Sequence, residues 1–128
     1  MILLDTHVFV WLASSPGNLS PKAVALIRAN AGDLCLSAVS AWEISLLAKK
    51  GRLRLPASPE EYVADALDHL RIREVPLTRK TVQYSVALPP VHNDPFDRVL
   101  IAESILNGWT LVSSDQVIPK YPGLRLVW

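Results

Sequence analysis

Short apolar runs alternate with longer amphipathic segments along the whole chain. The apolar runs predict five strands, at residues 2–4, 34–37, 72–75, 109–113 and 124–128. Short, mostly continuous apolar strands separated by helices are typical of a parallel sheet that is covered on both faces. We therefore expect an α/β/α sandwich around a central, mostly parallel sheet of about five strands.

Capping residues and glycines set the expected boundaries of the helices. Serine or aspartate precedes proline at Ser20-Pro21, Ser58-Pro59 and Asp94-Pro95, and each pair is a strong helix start. Gly51 and Gly108 are typical stops. The predicted helices lie at residues 7–13, 21–31, 40–51, 59–70, 78–88 and 95–108. No repeat or linker divides the chain, so residues 1–128 are expected to form a single domain.

The composition excludes some classes of protein but does not identify a binding partner. Half of the residues are hydrophobic and the formal net charge is +1, which excludes a disordered chain and gives no sign of a strongly basic nucleic-acid binder. One stretch, residues 44–59, contains Lys49, Lys50, Arg52 and Arg54 and no acid. These cations either attract a polyanion or simply form a solvated helix end and loop, and both interpretations stay open.

Cysteine content and the N-terminus indicate a cellular compartment. Cys35 is the single cysteine, so neither an intramolecular disulfide nor a cysteine-based zinc site is expected. The chain starts without the basic region and apolar segment of a signal peptide, and no window is long enough to cross a membrane. We expect a cytoplasmic protein with no membrane partner.

Four acids adjoin strongly apolar segments. Asp5 directly follows the first predicted strand and Asp115 lies just past the fourth, and sites in open α/β sheets form at the carboxyl ends of strands. Glu43 lies in the first turn of the helix after the second strand, which makes its convergence with them plausible. Asp97 begins the helix that leads into the fourth strand, and the rule for strand ends does not place it.

Each of these acids also has an ordinary structural explanation. Asp115 could be a turn residue, Asp5 could cap the first helix, and Glu43 could interact favourably with a helix N-terminus. Asp94 is a good N-cap for the helix at residues 95–108, and we favour that role for it. The functional interpretation depends on all the acids together.

Four segments, in order and with suitable spacing, resemble the PIN-domain nucleases, and more narrowly the VapC toxins of bacterial and archaeal toxin–antitoxin pairs. They are residues 3–7, 37–44, 92–102 and 111–115. The resemblance covers essentially the whole chain, and it implies a PIN-like fold. It also implies an endoribonuclease that acts on RNA, a cognate antitoxin and a homodimer.

Residue by residue, the resemblance implies that four acids form the catalytic centre: Asp5, Glu43, Asp97 and Asp115. Asp94 is expected to assist through water. Ser113 and the neighbour of the first acid, Thr6, are expected to form hydrogen bonds within the site.

Carboxylates that converge raise one another's pKa unless a cation lies among them. Oxygen ligands favour a hard ion, so we expect Mg²⁺ or Mn²⁺ as the cofactor. Asp5, Asp97 and Asp115 are the expected ligands, and Glu43 either joins them or orients the attacking water. An ion of this kind suits hydrolysis of a phosphodiester bond.

Two other function classes are alternatives to a nuclease. A dehalogenase-like phosphoryl-transfer enzyme needs an aspartate two residues after the first, where this chain has His7, and residues 113–115 lack the lysine of a receiver domain. A non-catalytic module whose acidic pocket holds a metal or a basic peptide stays open. His7, His69 and His92 do not have the spacing of metal ligands, and we expect His7 to have a structural or substrate-edge role.

Overall fold

A computed structural model describes all 128 residues and contains one five-stranded parallel sheet. The strands are β1 Ile2–Leu4, β2 Leu34–Ser37, β3 Arg73–Val75, β4 Thr110–Val112 and β5 Arg125–Val127. The helices are α1 Thr6–Ser14, α2 Pro21–Ala29, α3 Ala38–Lys49, α4 Pro59–His69, α5 Arg79–Ala87 and α6 Pro95–Asn107. None of them combines the length and the apolar content that crossing a membrane requires.

The predicted α/β class is confirmed, and all five expected strands and six expected helices are present. The Ser20 and Ser58 side chains cap α2 and α4 by accepting hydrogen bonds from the backbone three residues later. Helix α3 begins two residues earlier than predicted because the Ser37 hydroxyl accepts from the Val39 N–H at 3.2 Å. Two single-turn 3₁₀ helices, Pro16–Asn18 and Ile118–Lys120, were not predicted.

Two hydrophobic cores lie on opposite faces of the sheet. Alternate side chains of a strand point to opposite faces, so Ile2 and Leu4 enter one core while Leu3 enters the other. The first core includes residues of α1, α2 and α4, and the second is built largely on α6. Strand β1 is thus buried on both sides, as its continuous apolar sequence predicts.

The strand order places a crevice between β1 and β4. The sheet runs β3-β2-β1-β4-β5, so the chain passes from β1 to one side of the sheet and later to the other. The carboxyl ends of β1 and β4 therefore meet at the switch in strand order, where ligand sites form in this type of sheet. Helix α6 leads into the start of β4, so its own first turn lies at the same edge.

Candidate active site

At this edge lies a pocket of about 270 Å³ with no hydrophobic residue in its lining. It is lined by Asp5, His7, Glu43, His92, Asp94, Asp97, Ser114 and Asp115. The fold thus brings together all four predicted acids and Asp94. It also adds His92, which the sequence had not singled out.

Asp5 and Asp115 are connected through Ser113. The Ser113 hydroxyl donates to Asp5 Oδ2 and accepts from the Asp115 N–H at 3.1 Å. Asp5 occupies the N-cap position of α1, but its side chain makes no capping hydrogen bond, so the carboxylate faces the pocket instead. Its near-complete burial raises the pKa of Asp5 above the ordinary value, even though the Ser113 hydrogen bond acts in the opposite direction.

The two oxygens of Asp115 have different partners. Oδ1 accepts hydrogen bonds from the Val117 and Ile118 N–H groups, at 2.7 and 3.2 Å, and so stabilises the turn after β4. Oδ2 lies 3.0 Å from His92 Nε2. Although partial burial acts to raise the pKa of Asp115, these hydrogen bonds outweigh it and lower the pKa. The turn explanation and the site explanation therefore both apply to this residue.

Asp97 lies among the other acids of the pocket. It lies in the first turn of α6 and is 9% exposed. Burial, followed by the negative charges of the surrounding acids, raises the pKa of Asp97 to about 8. Without a cation, this carboxyl group is therefore largely protonated at neutral pH.

Glu43 is buried in α3 and has an unsatisfied oxygen. No hydrogen-bond donor contacts its Oε1, and burial raises its pKa. Thr6, which was expected to support the site, donates to Ser40 Oγ at 2.9 Å. A buried carboxylate oxygen without a partner is costly, and a bound cation or an ordered water would satisfy it.

Asp94 is the N-cap of α6, which is the role we favoured. Its Oδ1 accepts from the Phe96 N–H at 2.9 Å, and the residue also lines the pocket. The Asp94 side chain is thus held in place by the helix that it caps.

His92 is a candidate site residue that the sequence did not reveal. Its Nε2 lies 3.0 Å from Asp115 Oδ2 and 3.1 Å from Asp97 Oδ2. The Asp94 N–H donates to its Nδ1 at 3.1 Å, so in the neutral ring the proton is on Nε2 and points toward the acids. Helical or metal-ligand spacing could not indicate this role. The only signal is a histidine between Pro89-Pro90 and Asp94-Pro95, beside a predicted site.

Arg98 and Tyr121 fix the loop that carries His92. The Arg98 guanidinium donates to the Ser85, Leu88, Pro89 and His92 carbonyl oxygens at 2.8–3.1 Å. The Tyr121 hydroxyl accepts from the His92 N–H at 2.8 Å and donates to the Pro89 carbonyl at 2.9 Å. These hydrogen bonds therefore fix the position of the His92 imidazole relative to the acids of the pocket.

These residues fit a divalent cation. Ligand atoms of His92, Asp97 and Asp115 lie within 4.8 Å of one another, and Glu43, whose Oε1 has no hydrogen-bond partner, lines the same pocket. Because the His92 N–H is directed at carboxylates, the acids are better placed than the imidazole to hold an ion. A hard cation with oxygen ligands would remove the repulsion that raises the pKa of Asp97.

The chain is similar to known proteins over nearly its whole length. The PIN domain family model matches residues 2–124, and the chain belongs to this family. It is 32% identical to Ribonuclease VapC22 of Mycobacterium tuberculosis over 130 residues, which span 99% of this chain and 98% of that protein.

Solved structures with the same fold include complexes of toxins with antitoxins. VapBC2 from Rickettsia felis, bound to a promoter DNA fragment, matches with a TM-score of 0.71 and 17% identity, over 99% of this chain and 98% of that one. A toxin–antitoxin complex from Klebsiella pneumoniae matches with a TM-score of 0.69 and 19% identity, over 100% and 97% of the two chains. At these identities the likeness concerns the fold.

Proposed function

We propose that this chain is a Mg²⁺- or Mn²⁺-dependent endoribonuclease that acts as the toxin of a VapBC-type pair. The proposal depends mainly on one observation: Asp5, Glu43, Asp97 and Asp115, far apart in sequence, converge in one polar pocket. The similarity to Ribonuclease VapC22 along nearly the whole chain supports an RNA substrate. The activity is expected in the cytoplasm.

In this proposal the acids have different roles. Asp5, Asp97 and Asp115 hold the ion, and Glu43 either joins them or orients the attacking water. When bound, such an ion neutralises charge on the phosphate and makes a water more nucleophilic. The Ser113 hydroxyl fixes Asp5 relative to the Asp115 backbone. The His92 N–H orients the carboxylate of Asp115 beside that of Asp97.

An antitoxin and a second copy of the chain are the proposed partners. The solved complexes of similar fold support the antitoxin. For the homodimer, α5 presents Val82 and Val86, which are one helical turn apart and 39% and 77% exposed. Light scattering of the purified chain at micromolar concentration should give the mass of a dimer, and a monomer would contradict this part of the proposal.

Cleavage of RNA by the purified chain tests the activity. We expect Mg²⁺ or Mn²⁺ to support cleavage, a chelator to stop it, and Asp5→Asn to abolish it. Asp68→Asn, which removes an exposed acid on α4, should cleave like wild type. The same ions should raise the melting temperature of wild type and not that of Asp5→Asn, since a ligand at 100 times its Kd stabilises a fold by about 2.7 kcal/mol.

The other outcomes separate the alternatives. Thermal stabilisation by the metal without cleavage of any RNA would favour the non-catalytic binding module. Cleavage that survives both the chelator and Asp5→Asn would reject the metal site itself.

A further inference from the structure

A second depression adjoins the acidic pocket and shares two of its walls. This groove, of about 440 Å³, includes Glu43 and Asp94, which also line the acidic pocket. Away from the acids it is lined by Lys50 and Arg52. The two depressions therefore form one continuous surface that changes from acidic to basic.

Helical spacing explains the direction of the groove. Glu43, Leu46, Leu47 and Lys50 recur at intervals of three and four residues, so they lie on one face of α3 and at its C-cap. The seven steps from Glu43 to Lys50 rise about 10 Å along the helix. The basic end is therefore separated from the acids by a distance at which it would meet a neighbouring phosphate instead of the one that is cleaved.

The cations of the groove are available for a ligand. Neither Lys50 nor Arg52 has a carboxylate within 4.0 Å, and both are exposed. Between the basic and acidic ends, the groove is lined by Leu46, Leu47 and Phe96. Cations beside an apolar and aromatic surface are the combination that binds single-stranded nucleic acid, through phosphates and exposed bases.

We propose that this groove binds a single-stranded segment of the RNA substrate next to the cleaved bond. Lys50 and Arg52 contact its phosphates, and unstacked bases lie against the apolar lining. The proposal rests on the function proposed above, and it assigns a role to two of the four cations in residues 44–59. Lys49 and Arg54 do not line the groove, which gives the chain its own control.

The test compares two double variants of equal net charge. Lys50→Gln/Arg52→Gln removes the cations of the groove, and Lys49→Gln/Arg54→Gln removes the other two. Both are made in the Asp5→Asn background, and binding of a short fluorescent single-stranded RNA of mixed sequence is titrated at several salt concentrations. We expect the first pair to lower the slope of log K against log salt by about 1.4, since each single-strand phosphate contact contributes about 0.7. The second pair should change it little.

Steady-state cleavage kinetics of the same double variants, now made without Asp5→Asn, provide a second readout. The groove variant should have a raised KM with kcat nearly unchanged, because it loses binding that is equal in the ground and transition states. The control variant should match wild type in both parameters. A base-paired version of the same RNA should bind more weakly than the single strand.

The outcomes distinguish failure of this inference from failure of the proposed function. If wild type cleaves RNA and the two double variants lose binding equally, the groove is not the substrate path. Duplex binding as tight as single-strand binding would overturn the single-strand assignment. If wild type cleaves no RNA under any metal condition, the proposed function itself fails. Circular dichroism of each variant controls for misfolding.

Discussion

Helix α6 carries two buried acids, Asp97 in its first turn and Glu103 near its middle, and their surroundings differ. Burial and the charges of neighbouring acids raise the pKa of Asp97 to about 8. Burial alone raises the pKa of Glu103 to about 7, although the Ser37 hydroxyl donates a hydrogen bond at 2.8 Å that acts to lower it. Asp97 lines the pocket that the other acids share, whereas Glu103, which is 1% exposed, lines a depression that contains no other acid.

This contrast shows that a raised pKa does not by itself identify a functional acid. Both carboxyl groups resist ionisation, but only Asp97 would be relieved by a cation, since acids from four other chain positions face it. Glu103 has one hydroxyl partner and an Oε2 with none. Convergence of several acids is therefore the more informative feature.

The largest expected effect comes from substituting the two acids in turn. Asp97→Asn should reduce RNA cleavage well beyond the factor of about 10 to 100 that is typical of groups that only orient metal ligands. Its unfolding free energy without metal should not fall, because the removed group was disfavoured as an anion. Glu103→Gln should cleave at nearly the wild-type rate. Equal loss of activity in both variants would erase the distinction between the two acids.

A pH series sharpens the comparison through Glu103. Its pKa rises from 4.5 in the unfolded chain to about 7 in the fold, so the folded state binds the proton more tightly. The resulting stability is complete below pH 4.5 and is lost as pH rises through about 7, a change of about 3 kcal/mol.

Urea unfolding of the metal-free chain over this pH range, with Glu103→Gln as reference, measures that change. The unfolding free energy of wild type, minus that of the variant, should fall by about 3 kcal/mol as pH rises from 4.5 through 7. Other acids titrate in both proteins and cancel. Parallel pH curves would mean that Glu103 ionises normally.

His92→Gln gives the smallest effect of the three. The amide can still donate a hydrogen bond, but it does not reproduce the ring that spans Asp94, Asp97 and Asp115. We expect a loss of about 10- to 100-fold in cleavage or in metal affinity, as for groups that orient metal ligands. Higher Mn²⁺ should restore part of the activity, whereas Asp97→Asn should not recover. A variant with full activity would show that His92 has no positioning role.

The fold was largely predictable because its signals are local. Continuous apolar runs such as residues 34–37 and caps such as Ser20-Pro21 act within a few residues, so they can be interpreted in isolation. The position of Asp97 follows only when α6 is recognised as the helix that returns the chain to the start of β4. His92 required the tertiary structure, because its contacts come from a loop fixed by side chains elsewhere in the chain.

Arg98 adjoins Asp97 in sequence, yet its guanidinium holds the backbone of the loop that carries His92. No lysine could replace it, since a single ammonium cannot present several donors in one plane to four carbonyl groups. Under the toxin function proposed above, a genetic selection for harmless variants should recover substitutions at Arg98, and at its hydrogen-bond partner Tyr121, together with those at the acids. Such alleles would lose activity through a displaced loop while every carboxylate remained in place.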